Sequence, residues 1–515
     1  MPQRRIMSAA EAAALVPGGA AIGITGGGGG MVEPDTLLAA IEKLFLETGS
    51  PRNLTLVHSL GVGDRDKRGV NRFAHEGMVK RVIGGHWTWS PRMQQLARDE
   101  KIEAYVLPAG VITQLMREIG SGRPGLITHV GLGTFVDPRI DGGKMNARAK
   151  DDIVELIELD GRTLLRYKPF PVGAVCIRGT VADSDGNISL DQEGATLDAF
   201  ALALAAHNSG GKVLAQVRSV VERGEIPARS VRVPGALVDA VVADPEQSQS
   251  FASFHDPSLS GERARNLSKQ EPPQAPGPFN ERQAIAGRAA QELRDGAVIN
   301  YGFGIPDGIS KLVAARGQLD RYQQTLEHGT YGGTPLEGIF FGFVRDSHAV
   351  IDSTSQFDFY SGGGLDIAFL GMGEVDAAGN VNVSKLGGVP VGPGGFIEIA
   401  QNARKVVFCG TFEAKGARLV CGDGNLQIER HGEVPKLVRQ VGQITFSGSE
   451  ALRTGQEVIY VTERAVFRLT DRGLSLEEIA PGIDLQRDVL DRMAFQPVMD
   501  ASPRIMSPEF FTAPV

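Results

Sequence analysis

Short apolar runs rich in β-branched residues recur along the chain, at Leu54–Val57, Ala104–Leu107, Val213–Val217, Ala297–Tyr301, Ala349–Ile351 and Val406–Cys409. Stretches with helical spacing lie between them, among them Asp35–Phe45 and Asn280–Arg294. Strands that alternate with helices predict an α/β fold with mostly parallel, open sheets flanked by helices. Near the start, Arg4 and Arg5 precede an alanine-rich run that superficially resembles a secretory signal. Ser8-Ala-Ala-Glu11 reads instead as a capping box, and Glu11 interrupts the apolar run, so a short helix is predicted before Pro17-Gly18.

The pattern repeats at a larger scale. Gly19-Ala-Ala-Ile opens a strand that leads through glycines to Pro34-Asp35 and a helix; Gly296-Ala-Val-Ile leads in the same way to Pro306-Asp307 and a helix. Asp183-Ser-Asp-Gly-Asn187 matches Asp376-Ala-Ala-Gly-Asn380, and 25 residues after each Asn a Lys-Val strand begins, at Lys212 and at Lys405. Two echoes in the same order predict tandem domains of one fold. Between them, Glu271–Pro278 carries four prolines and can neither continue a helix nor enter a sheet. The predicted organisation is a first domain over 1–270, a linker over 271–278 and a second domain over 279–515.

A length of 515 residues agrees with two or more domains. A net charge of −8 argues against a general nucleic-acid binder, which carries a basic stripe. No run of about 18 apolar, uncharged residues is present, so no membrane span is predicted. Cys176, Cys409 and Cys421 form no CxxC and are too few for a disulfide framework, which points to a reducing cytoplasm. The nine histidines include no HxxxH pair, so no metal site is predicted.

Glycine accounts for 66 residues, clustered in Gly26–Gly30, Gly131–Phe135, Gly332-Gly333, Gly362–Asp366 and Gly392–Phe396. Any one cluster is explained by a tight turn. Five together point to a large or polyanionic ligand approached by bare backbone N–H groups. A dinucleotide fold is one rival, since Gly26–Gly30 lies between a strand and a helix. Against it, Pro34 interrupts the approach to the helix, His58-Ser59 stands where an acidic residue is required, and Gly302-Phe-Gly304 is followed by Asp307 rather than a third glycine. The segment Gln324–Pro335 carries Glu327 between a short β-like run and a glycine-rich turn. Such a glutamate is either an ordinary solvated loop residue or a carboxylate presented at the carboxyl end of a strand, where open sheets bind ligands.

These stretches occur in the order found in one known family. The glycine turn into Pro34, Gly131–Pro138 with Gly142–Asn146, Thr325–Gly333, Gly362–Asp366 with Phe369–Gly371, Gly379–Asn382, and Gly392–Phe396 with Gln401-Asn402 together span nearly the whole chain. The sequence resembles the family I coenzyme A transferases, in the fused-chain branch acting on acetate, propionate and related short acyl groups. The resemblance implies two tandem domains equivalent to separate α and β subunits. It implies that Glu327 is the catalytic nucleophile and that Gln114 reaches the active site from the first half. It places Gly363 and Gly364 as backbone donors to the thioester oxygen, and Gly392, Gly394, Gly395, Phe396, Asn402 and Lys415 along CoA. Glu374 stands where relatives often carry glutamine. Leu-Glu-His-Gly replaces the Ser-Glu-Asn-Gly of the succinyl-CoA:3-ketoacid branch.

The implied reaction needs no tightly bound cofactor; coenzyme A is both substrate and covalent partner, and the other substrates are acyl-CoA and small carboxylic acids. The implied assembly is a homotetramer or homodimer. Two readings compete: an acyl-CoA hydrolase on the same scaffold, and a non-catalytic CoA or sugar-phosphate binder. His328, beside Glu327, reads as structural, because a carboxylate needs no base at neutral pH.

Overall fold

The computed structural model describes residues 5–262 and 279–513. The linker expected at 271–278 lies outside the described residues. The chain divides into two compact units. One contains the chain up to residue 262 together with Leu326–Phe359 and Gly388–Gly395; the other contains the remainder from residue 279 onward. The stretch carrying Glu327 therefore packs with the first unit, although it follows the sequence boundary.

The first unit is built on seven parallel strands: β1 (Ala21–Ile24), β2 (Leu54–His58), β3 (Val79–Gly84), β4 (Glu103–Val106), β5 (Ala174–Arg178), β6 (Lys212–Val217) and β7 (Ala240–Ala243). Their order across the sheet is β7-β6-β5-β1-β2-β3-β4. Every residue of β5 is buried, as expected of a parallel strand covered on both faces. The helices Ala109–Gly120 and Ala199–Asn208 pack on each other, and the first is buried nearly all round.

The second unit contains β8 (Val298–Tyr301), β9 (Gln323–Leu326), β10 (Ile367–Gly371), β11 (Lys405–Cys409), β12 (Glu457–Val461), β13 (Ala465–Thr470), β14 (Gly473–Ile479) and β15 (Arg504–Ile505). They follow the order β9-β8-β10-β11-β12-β13-β14-β15. The first five are parallel, and β13 and β14 continue as an antiparallel meander whose burial alternates along β14.

The parallel core β2-β1-β5-β6-β7 of the first unit has the same order as β9-β8-β10-β11-β12 of the second. The sequence echo is thus a repeat of topology. Its turns are equivalent too. Asp183 accepts from the N–H groups of Asp185 and Asn187 and from the Asn187 amide. Asp376 accepts from Ala378, Asn380 and the Asn380 amide in the same way. An aspartate that hydrogen-bonds the backbone ahead of it fixes such a turn.

Most predicted elements appear within a few residues of their expected ends. Ser8 and Glu11 form the capping box on the helix Ala9–Ala13, and Asn280 caps the helix Glu281–Ala289. The latter stops short of Arg294 because its last turn tightens at Ala290–Glu292. Ala349–Ile351 is not a central strand. Only Ala349–Val350 is extended, paired antiparallel with Thr330–Tyr331. Three apolar residues between His348 and Asp352 are too few to span a sheet.

Candidate active site

Glu327 directly follows β9, at the carboxyl end of a parallel strand. The residue is partly covered, and one carboxylate oxygen, Oε2, accepts the Gly395 N–H at 2.9 Å. Burial is the largest influence on the carboxyl group and pushes its pKa up to about 7, while the Gly395 hydrogen bond pulls it down. A Cβ added at Gly395 would lie 2.2 Å from Glu327 Oε2 and 2.8 Å from the Phe357 ring. Glycine is required here by space, because the carboxylate and the phenyl ring both approach its α-carbon.

The loop that supplies Gly395 is tied down on both sides. Gly394 donates its N–H to the Gly85 carbonyl at 2.9 Å, just beyond β3. The Gly394 carbonyl accepts from Ala109 at 2.9 Å, and the Val391 carbonyl accepts from Trp87 at 2.8 Å. Ala109 is the first residue of the helix Ala109–Gly120, whose leading N–H groups have no partner inside the helix. The glycine loop satisfies one of them and gains a fixed position in return.

Gln114 is buried on the same helix and donates from Nε2 to Asp358 Oδ1 at 2.9 Å. Arg117, one turn further on, donates to both Asp358 oxygens, with Nη2 to Oδ1 at 3.1 Å. Asp358 neighbours Phe357 on the helix Ser353–Ser361. One helix therefore braces both the glycine loop and the helix whose phenylalanine packs on Gly395.

His328 is buried, its ring edge-on to Phe341 and close to Gly342. Burial lowers its pKa to about 4, so it is neutral at physiological pH. Its packing matches the structural role expected of it. Glu374 accepts from Asn382 Nδ2 and from the Gly442 N–H, each at 2.8 Å, and so ties two loops together.

The remaining candidates each make contacts of their own. Gly363 has φ +83° and donates to the Tyr360 carbonyl just past the helix Ser353–Ser361, the left-handed conformation that ends helices. Gly363 thus ends that helix, while the N–H that meets Glu327 is that of Gly395. Gly392 crowds the Gly85 carbonyl, where a Cβ would come within 2.5 Å. Phe396 is buried and stacks on Phe408, and Asn402 bonds back to the Glu398 carbonyl of its own helix. Lys415 is exposed in a turn at φ +57°. Phe357, Asp358 and Ala109 escaped the sequence reading because a phenylalanine, an aspartate and an alanine on helices carry no local signature of their partners.

Among the described residues, no cluster of His, Cys, Asp and Glu could hold a metal ion, and no helix is long and apolar enough to cross a membrane.

A coenzyme A transferase family model matches residues 6–244. The chain is 43% identical over 511 residues to the acetate CoA-transferase YdiF of Escherichia coli O157:H7, covering 98% of this chain and 95% of that one. The chain belongs to the coenzyme A transferase family. This transferase is also 43% identical to the caffeate CoA-transferase of Acetobacterium woodii, covering 99% of the one and 97% of the other. Its structure matches the crystal structure of YdiF as a thioester complex with CoA, with a TM-score of 0.93 and 42% identity, over 99% of this chain and 96% of that one. The fold class and the membership expected from sequence are both confirmed. The enzyme transfers coenzyme A between carboxylic acids.

Proposed function

We propose that this transferase carries CoA from a short-chain acyl-CoA to a free carboxylate through a thioester on Glu327. The observation that carries the reading is Glu327 at the end of β9, with its carboxylate held by the Gly395 N–H. A Glu327 oxygen attacks the acyl-CoA carbonyl, the C–S bond breaks, and a mixed anhydride forms with CoA thiolate. The thiolate attacks the glutamyl carbonyl, the anhydride C–O bond breaks, and the first acid leaves as its carboxylate. The second carboxylate runs these steps in reverse, giving ping-pong kinetics. Over the full cycle one thioester and one carboxylate are exchanged for another such pair, so no ATP is needed to drive the transfer.

Each addition places negative charge on a carbonyl oxygen. A positioned backbone donor there contributes about 3–4 kcal/mol. Gly395, already on the glutamyl carboxylate, is the donor we assign for the glutamyl carbonyl. Acetate and caffeate are the acyl groups in the names of two relatives, and we place this enzyme's substrates among short carboxylic acids. We also propose a cytoplasmic homo-oligomer, to be checked by light scattering on the purified enzyme.

Incubation with acyl-CoA alone is expected to leave CoA on the peptide containing Glu327, visible by intact mass and peptide mapping. Glu327→Ala is expected to abolish both the adduct and exchange while keeping its circular dichroism. An alanine variant that still exchanges CoA overturns the assignment. Acyl-CoA loss that proceeds equally fast without an acceptor acid would favour the hydrolase.

A further inference from the structure

The chain that leads away from Glu327 soon returns beside it. Thr334–Pro335 pairs antiparallel with Val344–Arg345, so residues 336–343 form the tip of a hairpin within the first unit. The tip reads Leu-Glu-Gly-Ile-Phe-Phe-Gly-Phe. Turns ordinarily carry Gly, Asn, Asp, Ser or Pro, for the backbone angles and local hydrogen bonds these residues allow. Here three large apolar residues, Ile339, Phe340 and Phe341, stand between two glycines with left-handed backbone, Gly338 at φ +64° and Gly342 at φ +95°. Ile339 is 43% exposed, and Phe340 and Phe341 are half-buried. The one charged side chain of the tip is the exposed anion Glu337.

The tip is seated next to the reactive carboxylate. His328 directly follows Glu327, and the Phe341 ring stands edge-on to it with centroids 6.1 Å apart. A Cβ at Gly342 would lie 2.7 Å from His328 Nε2. The glycine loop after β1 approaches the same ring, since a Cβ at Gly27 would come within 3.8 Å of His328 Cδ2. Two residues further on, a Cβ at Gly29 would collide with the Ile339 carbonyl oxygen and lie 3.6 Å from Ile339 Cγ1. Hairpin tip and glycine loop therefore meet each other and both meet His328. The hairpin is anchored from beneath by Phe343, which is fully buried against Gly194 and T-shaped to Phe340 at 5.9 Å. Exposed Ile339 is not what holds it in place. Apolar surface kept at a reactive group is a surface for an apolar ligand.

We propose that Ile339, Phe340 and Phe341 select the acyl group, forming an apolar wall on which the alkyl chain lies while its carbonyl is attacked by Glu327. The wall rests on the CoA-transfer reading above and adds to it a substrate class, acyl groups whose chain is uncharged. Each methylene laid on such a wall gains about fourfold in rate at low substrate, the transfer value of a buried CH2. A chain ending in a second carboxylate would lose its water against apolar side chains, and the tip's own charge, Glu337, has the same sign.

The test follows formation of the CoA adduct on Glu327 by quenched flow and intact mass, with acetyl-, propionyl-, butyryl- and succinyl-CoA each supplied alone, so that no acceptor acid enters the reading. In wild type the second-order rate is expected to climb about fourfold per methylene from acetyl- to butyryl-CoA. Succinyl-CoA, which ends in a carboxylate where butyryl-CoA ends in a methyl, is expected to lag butyryl-CoA by about tenfold or more. Ile339→Ser and Phe341→Ser are each expected to flatten the climb to about twofold per methylene, with the loss smallest for acetyl-CoA. Ile339→Arg is expected to raise succinyl-CoA relative to butyryl-CoA about tenfold. A climb of the same steepness in wild type and both serine variants overturns the wall. So does a loss of equal size with all four donors, which a merely structural tip would give, or a succinyl-CoA rate that gains nothing from Ile339→Arg. Absence of the adduct in wild type with every donor would instead refute the role of Glu327, so the two failures are distinct.

Discussion

At the scale of single residues, reactivity depends on how little room surrounds Glu327. Gly395→Ala puts a methyl group where the carboxylate and the Phe357 ring already stand. Exchange is expected to fall by about a hundredfold or more, as for loss of one oxyanion donor, in steady-state assays. The raised pKa gives a second expectation. Glu327 attacks as the carboxylate, and burial holds its proton on until about pH 7. In a free-enzyme pH profile, kcat/KM for acyl-CoA is expected to rise through about pH 7 and then level off. A flat profile from pH 5.5 to 8.5 would show that the carboxyl is ionised throughout. The glutamate was legible through the family resemblance, since its own neighbourhood left it either a solvated loop residue or a carboxylate at a strand end. Its donor was harder to identify, since Gly363-Gly364 and Gly394-Gly395 look alike as letters. Only the folded backbone shows that Gly363 ends a helix and that Gly395 points an N–H at Glu327.

At the scale of elements, the helix Ala109–Gly120 does two jobs with opposite ends of its sequence. Ala109 holds Gly394, while Gln114 and Arg117 hold Asp358. The Arg117–Asp358 pair is about two-fifths exposed on either side, so it contributes about 0–1 kcal/mol to stability. Its value is positional. Asp358→Ala is expected to shift Tm by no more than about 2 °C yet to lower kcat about tenfold with little change in KM. Asp358→Asn keeps an acceptor for Gln114 and is expected to recover part of the loss. An unchanged kcat in both variants would reduce Asp358 to a surface ion pair. The family resemblance gave Gln114 a place near the chemistry but no partner, because that partner lies 244 positions away and local periodicity cannot reach so far. Strands such as β5 and β11 were easier to read, since burial on both faces leaves a continuous apolar run.

At the scale of the whole molecule, the two sequence echoes proved sufficient to announce two sheets with the same parallel core. The turns at Asp183 and Asp376 show why: an Asp-x-x-Gly-Asn loop closes on its own aspartate in both units, so the letters record the geometry directly. What the letters could not record is the exchange of segments. Leu326–Phe359 and Gly388–Gly395 come late in the chain and pack with the first unit, through bonds such as Ser353 N–H to the Leu197 carbonyl and Asp346 N–H to the Ser258 carbonyl. During synthesis, domains generally fold as units from the N-terminus. Here the ribosome must reach residue 395 before the earlier unit has all its parts. A nascent chain arrested at residue 262 is expected to remain protease-sensitive and to bind chaperones, and protection in pulse proteolysis is expected only once arrest falls beyond residue 395. Two fragments divided between residues 262 and 279, each incompetent alone, are expected to restore exchange when co-expressed.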